Sequence, residues 1–223
     1  MSAAVSAHEE PPPRFARVIQ PSFGAANPSG PFVVSIEGPN GAGKSTLIRA
    51  LRLPHCMGTD DAWLSKQFKA RMIREADWLA SAMFFLSGCI EQMRVVASRH
   101  EGLILMDRSL WSTLAVHAAE DPDRLGTLLA MLRPVADQVR VPHLTLVLEA
   151  SFATCQFRIG KKTGTARALD ELTANTAFHA REREFYHWLG GWRREVQFLD
   201  TDEVTPETVA LQARELIRRH APC

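Results

Sequence analysis

The sequence predicts an α/β fold in three layers, a parallel five-stranded sheet between helices. Three observations carry this. From Phe32 onward, short apolar runs alternate with helical patterns. The runs are apolar along most of their length, as strands covered on both faces must be. A glycine-rich segment, Gly38-Pro39-Asn40-Gly41-Ala42-Gly43-Lys44-Ser45-Thr46, joins the first run to the first helical pattern.

Taken in order, the predicted strands are 32–37, 54–57, 103–107, 144–148 and 196–200. Helical patterns fall near 44–52, 61–99 (as two helices), 110–119, 123–139, 151–159, 168–189 and 206–219. Thr205-Pro206-Glu207 reads as an N-cap followed by proline at the first helical position. Residues 1–30 are rich in Ala, Ser, Pro and Gly and show no periodicity, so they read as a flexible arm before one domain over 31–223. In such a sheet ligands bind beyond the carboxyl ends of the strands, and chemistry is expected there.

With 223 residues, 46% of them hydrophobic and 23% charged, the chain can bury the core of a soluble globular domain. A formal charge of +1 supplies no general attraction to nucleic acid or an anionic membrane, so local clusters must recognise any phosphate. Cys56, Cys89, Cys155 and Cys223 are far apart without a CxxC pair, which disfavours a zinc site or disulfide framework and fits a reducing compartment. No apolar run approaches the ~18 residues of a membrane span. The N-terminus carries Glu9-Glu10-Pro11-Pro12-Pro13 instead of an apolar signal core, and a cytoplasmic location is expected. The 8 histidines form no ligand pair and are expected at surface or capping positions.

The glycine-rich segment matches G-x-x-x-x-G-K-S between a strand and a helix. In that context backbone N–H groups of the loop and of the helix N-terminus converge on phosphate oxygens. Gly38, Asn40, Gly41, Ala42, Gly43, Lys44, Ser45 and Thr46 are therefore the expected triphosphate-binding residues. Lys44 reaches the β/γ-phosphates and Ser45 holds Mg²⁺.

Strand 103–107 ends in Asp107-Arg108-Ser109. Asp107 can take a water of the Mg²⁺ shell, and Arg108 can point a cation at substrate or transferring phosphate. The segment 158–168 contains Arg158, Lys161, Lys162 and Arg167 with two glycines, between helical patterns. Cations this dense repel one another unless an anion joins them, which suits a basic lid closing over phosphates; an ordinary solvated loop is the alternative. Asp60 or Asp61, after the second strand, could accept a proton from an attacking hydroxyl, although Thr59-Asp60-Asp61 serves equally as a helix N-cap. Trp63 and Phe85 are candidates to line an acceptor pocket. Trp188 and Trp192 are expected to pack.

These segments resemble the thymidylate kinase and deoxynucleoside kinase group of P-loop kinases over about residues 32–220. Ile36-Glu37-Gly38 leading into Gly41–Thr46 is similar to the thymidylate kinase opening. Asp107-Arg108-Ser109 followed by Ser112 and Ala115 resembles that group's Asp-Arg-Tyr and Glu-Arg-Ser segments. Thr145–Ala150 with Cys155 and Arg158 resembles the strand and lid entry, and Phe178–Tyr186 the long helix after the lid. Asp200-Thr201 and Thr205-Pro206-Glu207 resemble the closing strand and last helix, which in the family lie beside adenine.

The resemblance implies phosphoryl transfer from Mg·ATP to a nucleoside, a nucleoside monophosphate or a related small molecule. Lys44 and Ser45 would serve the donor phosphates and metal, Asp107 the metal or acceptor, and Arg108 the acceptor end. With Ala42 in the phosphate loop, the lid must supply the arginine. The chain departs from thymidylate kinases at Asn40, where they usually have Asp, and at Met57–Trp63, which does not match their Glu-Pro-Gly-Gly-like segment. Ser87–Gln92 also lacks the arginine that holds the acceptor's phosphate there. An acceptor offering a hydroxyl and no phosphate is therefore expected. The alternatives are a non-kinase P-loop ATPase and a catalytically impaired nucleotide-binding module. The helices of 75–99 could offer a face for a homodimer.

Overall fold

The computed structural model describes Phe15 and residues 18–24, 30–59, 66–99, 101–163 and 175–221. In chain order the elements are β1 (Phe32–Glu37), α1 (Lys44–Leu51), β2 (His55–Met57), α2 (Lys66–Arg74), α3 (Trp78–Arg99), β3 (Leu103–Asp107) and α4 (Leu110–Glu120). Then follow α5 (Pro122–Leu132), a 3₁₀ turn (Arg133–Gln138), β4 (Leu144–Glu149), α6 (Phe152–Gly160), α7 (Thr176–Trp192), β5 (Val196–Asp200) and α8 (Pro206–His220).

The five strands form one parallel sheet in the order β2-β3-β1-β4-β5. β1 lies centrally, and its residues from Val33 to Glu37 are all buried. On one face α4 packs between α3, α5 and α7, around Leu86, Trp111, Leu114, Phe185, Tyr186 and Leu189. On the other face α1 packs on α8, and Leu47, Leu51, Ala213 and Ile217 meet Val34, Ile36 and Leu146 of the sheet. The chain reverses direction across the sheet at β1, so the crevice for a ligand opens beyond its carboxyl end.

Several expectations need correction. The pattern over 123–139 is one helix only to Leu132, because Pro134 cannot donate to a helical ladder and the chain tightens into the 3₁₀ turn. The described pieces of the expected arm are docked. Phe15 and Phe23 are buried in the α4–α7 core, Phe15 against Phe185 and Trp188, and Phe23 against Trp111 and Trp192. Gly24 N–H donates to Ala136 O at 2.9 Å, closing this strap onto the 3₁₀ turn. The apolar stretch within α3 is also longer than the sequence suggested. Trp78–Ser98 is long and apolar enough to cross a bilayer by length and composition, yet Ala82, Leu86, Cys89, Met93 and Val96 are buried in the protein core.

Candidate active site

The loop after β1 holds its shape through glycine. Gly38, Gly41 and Gly43 have φ of 119°, 86° and 105°, a region that side chains disfavour. A Cβ on Gly38 would stand 2.3 Å from Leu148 O, and one on Gly41 2.6 Å from Cys155 O. The loop thus lies directly on β4 and α6, with Gly43 as the left-handed N-cap of α1. Ser45 and Thr46 are exposed on the first turn of that helix.

Lys44 begins α1 and is buried, 7% exposed. Its ammonium donates to Gly38 O at 2.6 Å and Pro39 O at 2.7 Å. Burial, and then the neighbouring Arg108 cation, pull its pKa down to about 7, against the attraction of Glu182, Asp107 and Glu37. An anion arriving beside it would restore its charge.

Asp107 ends β3, and Arg108 turns the chain with a left-handed φ of 68°. A non-glycine residue is held there only when its surroundings over-determine it. Those surroundings are visible. Glu37, wholly buried at the end of β1, accepts hydrogen bonds from Ser109 N at 2.7 Å, Ser109 Oγ at 2.6 Å, the Ser112 hydroxyl, and Tyr186 OH at 3.4 Å. Burial pushes the Glu37 carboxyl pKa up, and these hydrogen bonds and Arg108 oppose it. The Arg108 side chain donates to Asn40 Oδ1 at 2.5 Å and Ser112 Oγ at 3.2 Å, tying the β3 turn to the glycine loop.

Arg158, at the end of α6, is not poised in open solvent as a lid cation. It donates to Gly41 O at 3.4 Å, Ala42 O at 3.3 Å, Thr201 Oγ1 at 3.1 Å and Thr201 O at 2.6 Å. Thr201, just past β5, in turn lies 3.0 Å from Ala42 O. The loop, α6 and the last strand are thus clamped together.

One cavity of about 660 Å³ unites these groups, a volume ordinary for a small-molecule site. Its wall runs from Met57, Asp107 and Arg108, past Asn40–Thr46, to Arg158, Lys162 and Thr201, and ends at Val204, Pro206 and Val209. The cavity is thus lined by loop amides and cations, with apolar residues at Val204, Pro206 and Val209. Two hard oxygen donors, the Ser45 hydroxyl and the Asp107 carboxylate, line the same cavity. That suits Mg²⁺, which keeps several waters and takes few protein ligands. Among the described residues there is no cluster of three His, Cys, Asp or Glu that would make an all-protein metal cage.

Of the expected site residues, the structure brings together Asn40, Gly41, Ala42, Gly43, Lys44, Ser45, Thr46, Asp107, Arg108, Arg158 and Lys162. Phe85 does not join them. It lies half-buried on α3, edge-on to Phe84 at 4.9 Å between centroids. Asp60, Asp61, Trp63, Arg167 and the remainder of the expected lid beyond Thr163 lie outside the described residues. On α3, Gly88 faces Thr59, whose methyl would stand 2.7 Å from a Cβ at position 88. Thr59 thus occupies the space in which a longer side chain from that helix position would begin.

Sequence reading missed two acidic groups. Glu37 ends an apolar strand, and a carboxylate inside an otherwise apolar run was the available signal. Glu182 is 4% exposed on α7, and its carboxyl pKa is raised by burial, against the pull of Lys44 and Arg108. It sits within an alternating Arg-Glu-Arg-Glu run, Arg181 to Glu184, on the long helix after the lid.

No family model matches the chain. Among curated proteins it is similar to a thymidylate kinase of Limosilactobacillus fermentum, 28% identical over 176 residues, covering 71% of this chain and 80% of that protein. Among solved structures it resembles the thymidylate kinase of Candida albicans, with a TM-score of 0.65 and 18% identity over 85% of this chain and 92% of the other. It also resembles the deoxyadenosine kinase of M. mycoides with bound dATP, with a TM-score of 0.61 and 17% identity over 83% and 98%. The fold is that of these P-loop kinases, with a wholly parallel five-stranded sheet.

Proposed function

We infer that the chain is a P-loop kinase of the thymidylate and deoxynucleoside kinase type, a phosphotransferase acting on a nucleoside or nucleotide. The finer reading we propose is ATP- and Mg²⁺-dependent transfer of the γ-phosphate to a nucleoside-like hydroxyl. The carrying observation is the single cavity that sets the glycine-loop amides and Lys44 between an apolar end at Val204, Pro206 and Val209 and a polar end at Asp107 and Arg108.

In this reading the adenine lies against Val204, Pro206 and Val209, beside Arg158 and Thr201. The triphosphate runs along Gly41–Thr46, where loop amides and the α1 N-terminus bind its oxygens. Lys44 leaves the carbonyls of Gly38 and Pro39 for the β/γ-phosphates and regains its full charge as it does so. Ser45 and Asp107 would hold Mg²⁺, which neutralises phosphate charge when bound. Arg108, fixed by Asn40 and Ser112, faces the acceptor end and stabilises charge on the transferring group. Of the described cations of the lid segment 158–168, Arg158 and Lys162 line the cavity, and Lys161 lies over the Phe157 ring. Positioning and charge neutralisation carry most of such a reaction.

The packing of Thr59 against Gly88 supports a hydroxyl acceptor over a monophosphate. A buried phosphate needs a cation; this part of α3 offers none to replace the arginine, and Lys69 of α2, the cation beside it, is engaged with Thr59 O at 2.6 Å. An ADP-release screen over nucleosides, nucleoside monophosphates and hydroxylated metabolites tests this. A nucleoside as best acceptor is the expected result; a monophosphate as best acceptor overturns the acceptor assignment.

A further inference from the structure

Arg108 lines the large cavity together with Lys44, and the groups that hold its side chain are uncharged. One Nη donates to Asn40 Oδ1 at 2.5 Å and the other to Ser112 Oγ at 3.2 Å. Asp107, Glu182 and Glu37 act on it electrostatically, yet among the described residues no carboxylate forms an ion pair with it. Glu37, the acid nearest along this network, is occupied by Ser109, Ser112 and Tyr186.

A partly buried cation without a counter-ion is costly to keep. Lys44 adds to that cost. After burial, the Arg108 charge is the main cause of the lowered Lys44 pKa. Two cations that face one cavity and repel each other are relieved when an anion enters between them. Guanidinium carries five N–H donors, so those not taken by Asn40 and Ser112 remain for that anion.

The chemistry of the tether matters here. The Asn40 amide oxygen fixes the direction of the guanidinium and subtracts nothing from its charge. A carboxylate of the same shape would hold the guanidinium more tightly and cancel that charge. Asn40 also stands at the loop tip, where it lines both the large cavity and a smaller one behind the loop that Glu182 of α7 lines too. A carboxylate at position 40 would therefore face a second acid.

We propose that Asn40 is a positioning residue whose neutral amide aims Arg108 into the cavity and leaves its whole positive charge to the transferring phosphate. This rests on the phosphotransfer reading above and deepens it. The Glu37 network fixes the backbone of the β3 turn, and Asn40 fixes the far end of the Arg108 side chain. The cation is thus in place before the reaction, and no reorganisation is needed as charge develops. Asn40 itself touches no reacting atom.

The test follows γ-³²P transfer from Mg·ATP to the best acceptor of the ADP-release screen. It measures kcat and KM for wild type, Asn40→Ala and Asn40→Asp, and for both substitutions in an Arg108→Met background. Asn40→Ala loses the tether and keeps the charge; Asn40→Asp keeps the tether and loses the charge. The expected fall in kcat is about 10-fold for Asn40→Ala and about 100-fold for Asn40→Asp, with KM for Mg·ATP kept. With Arg108→Met, each substitution should change kcat by less than about threefold, as coupled residues require. A residue that only shapes the loop would tolerate the near-isosteric Asn40→Asp better than Asn40→Ala, with or without Arg108. Turnover in Asn40→Asp equal to or above that of Asn40→Ala, effects undiminished by Arg108→Met, or a defect confined to KM for Mg·ATP overturns the assignment and leaves the kinase reading intact. A wild-type chain that transfers phosphate to no acceptor overturns both.

Discussion

Glu37 Oε1 accepts from both the amide and the hydroxyl of Ser109, at 2.7 and 2.6 Å, 72 residues further along the chain. This pair joins the end of the central strand to the turn that carries Arg108. Its buried carboxylate explains why a non-glycine residue holds a left-handed φ there: three successive groups of the turn and α4 are fixed from one point.

Replacing Glu37 by leucine should therefore do two things. It strands the Ser109 amide and hydroxyl, the Ser112 hydroxyl and Tyr186 OH in a dry core, for a loss of about 3 kcal/mol. It also frees Arg108 and lowers turnover. Urea denaturation of the variant measures the first effect. A midpoint unchanged from wild type would show that the network does not hold the turn.

Gly38→Ala should abolish nucleotide binding, because the new Cβ would press on Leu148 O at 2.3 Å and the residue's φ is 119°. The loop can escape only by lifting from β4, which turns its amides away from the phosphates. Calorimetric titration with Mg·ATP checks this, and wild-type affinity in the variant contradicts the geometry.

The N-terminal strap should contribute to stability, not merely precede the domain. Phe15 is 1% exposed between Phe185 and Trp188, so Phe15→Ala should cost about 3 kcal/mol. The same change should raise the mobility of α7, which carries Glu182 and Tyr186. Chemical denaturation and hydrogen exchange on α7 read both effects. A variant as stable as wild type would mean that the strap is only resting on the core.

Acid should act through His179, whose pKa is lowered by burial and then by Arg183. The unfolded chain binds this proton more readily than the native one, so stability falls as pH drops through the ordinary histidine value of about 6.5 towards the lowered one. Wild type should lose more stability between pH 7 and 5.5 than His179→Gln. Equal losses in the two would place the acid sensitivity elsewhere.

Much of this architecture was legible in residue order. Val33-Val34 and Leu146–Leu148 are continuous apolar runs because both faces of the sheet are covered, and Gly38–Thr46 names its own backbone shape. The docking of Phe15 was not legible, since two aromatic residues within an Ala- and Pro-rich stretch give no period from which burial could be read. Nor was the burial of His117 and His179, or the bond from Val33 N–H to His143 Nδ1 at 3.0 Å. Each depends on a partner far away in the chain. Arg158 was recognisable as a cation near phosphate, but its clamp on Ala42 O and Thr201 requires the β5 end to be in place. Glu182 was hidden by its neighbours, because helical spacing alone does not distinguish which of Arg181, Glu182, Arg183 and Glu184 turns inward.

The most direct measurement follows the label from γ-³²P-ATP with Mg²⁺ and a panel of deoxynucleosides. The account predicts that label appears covalently on an acceptor hydroxyl and that Lys44→Ala reduces this transfer by at least about 100-fold. Release of the label only as inorganic phosphate, at one rate with or without acceptor, would contradict it.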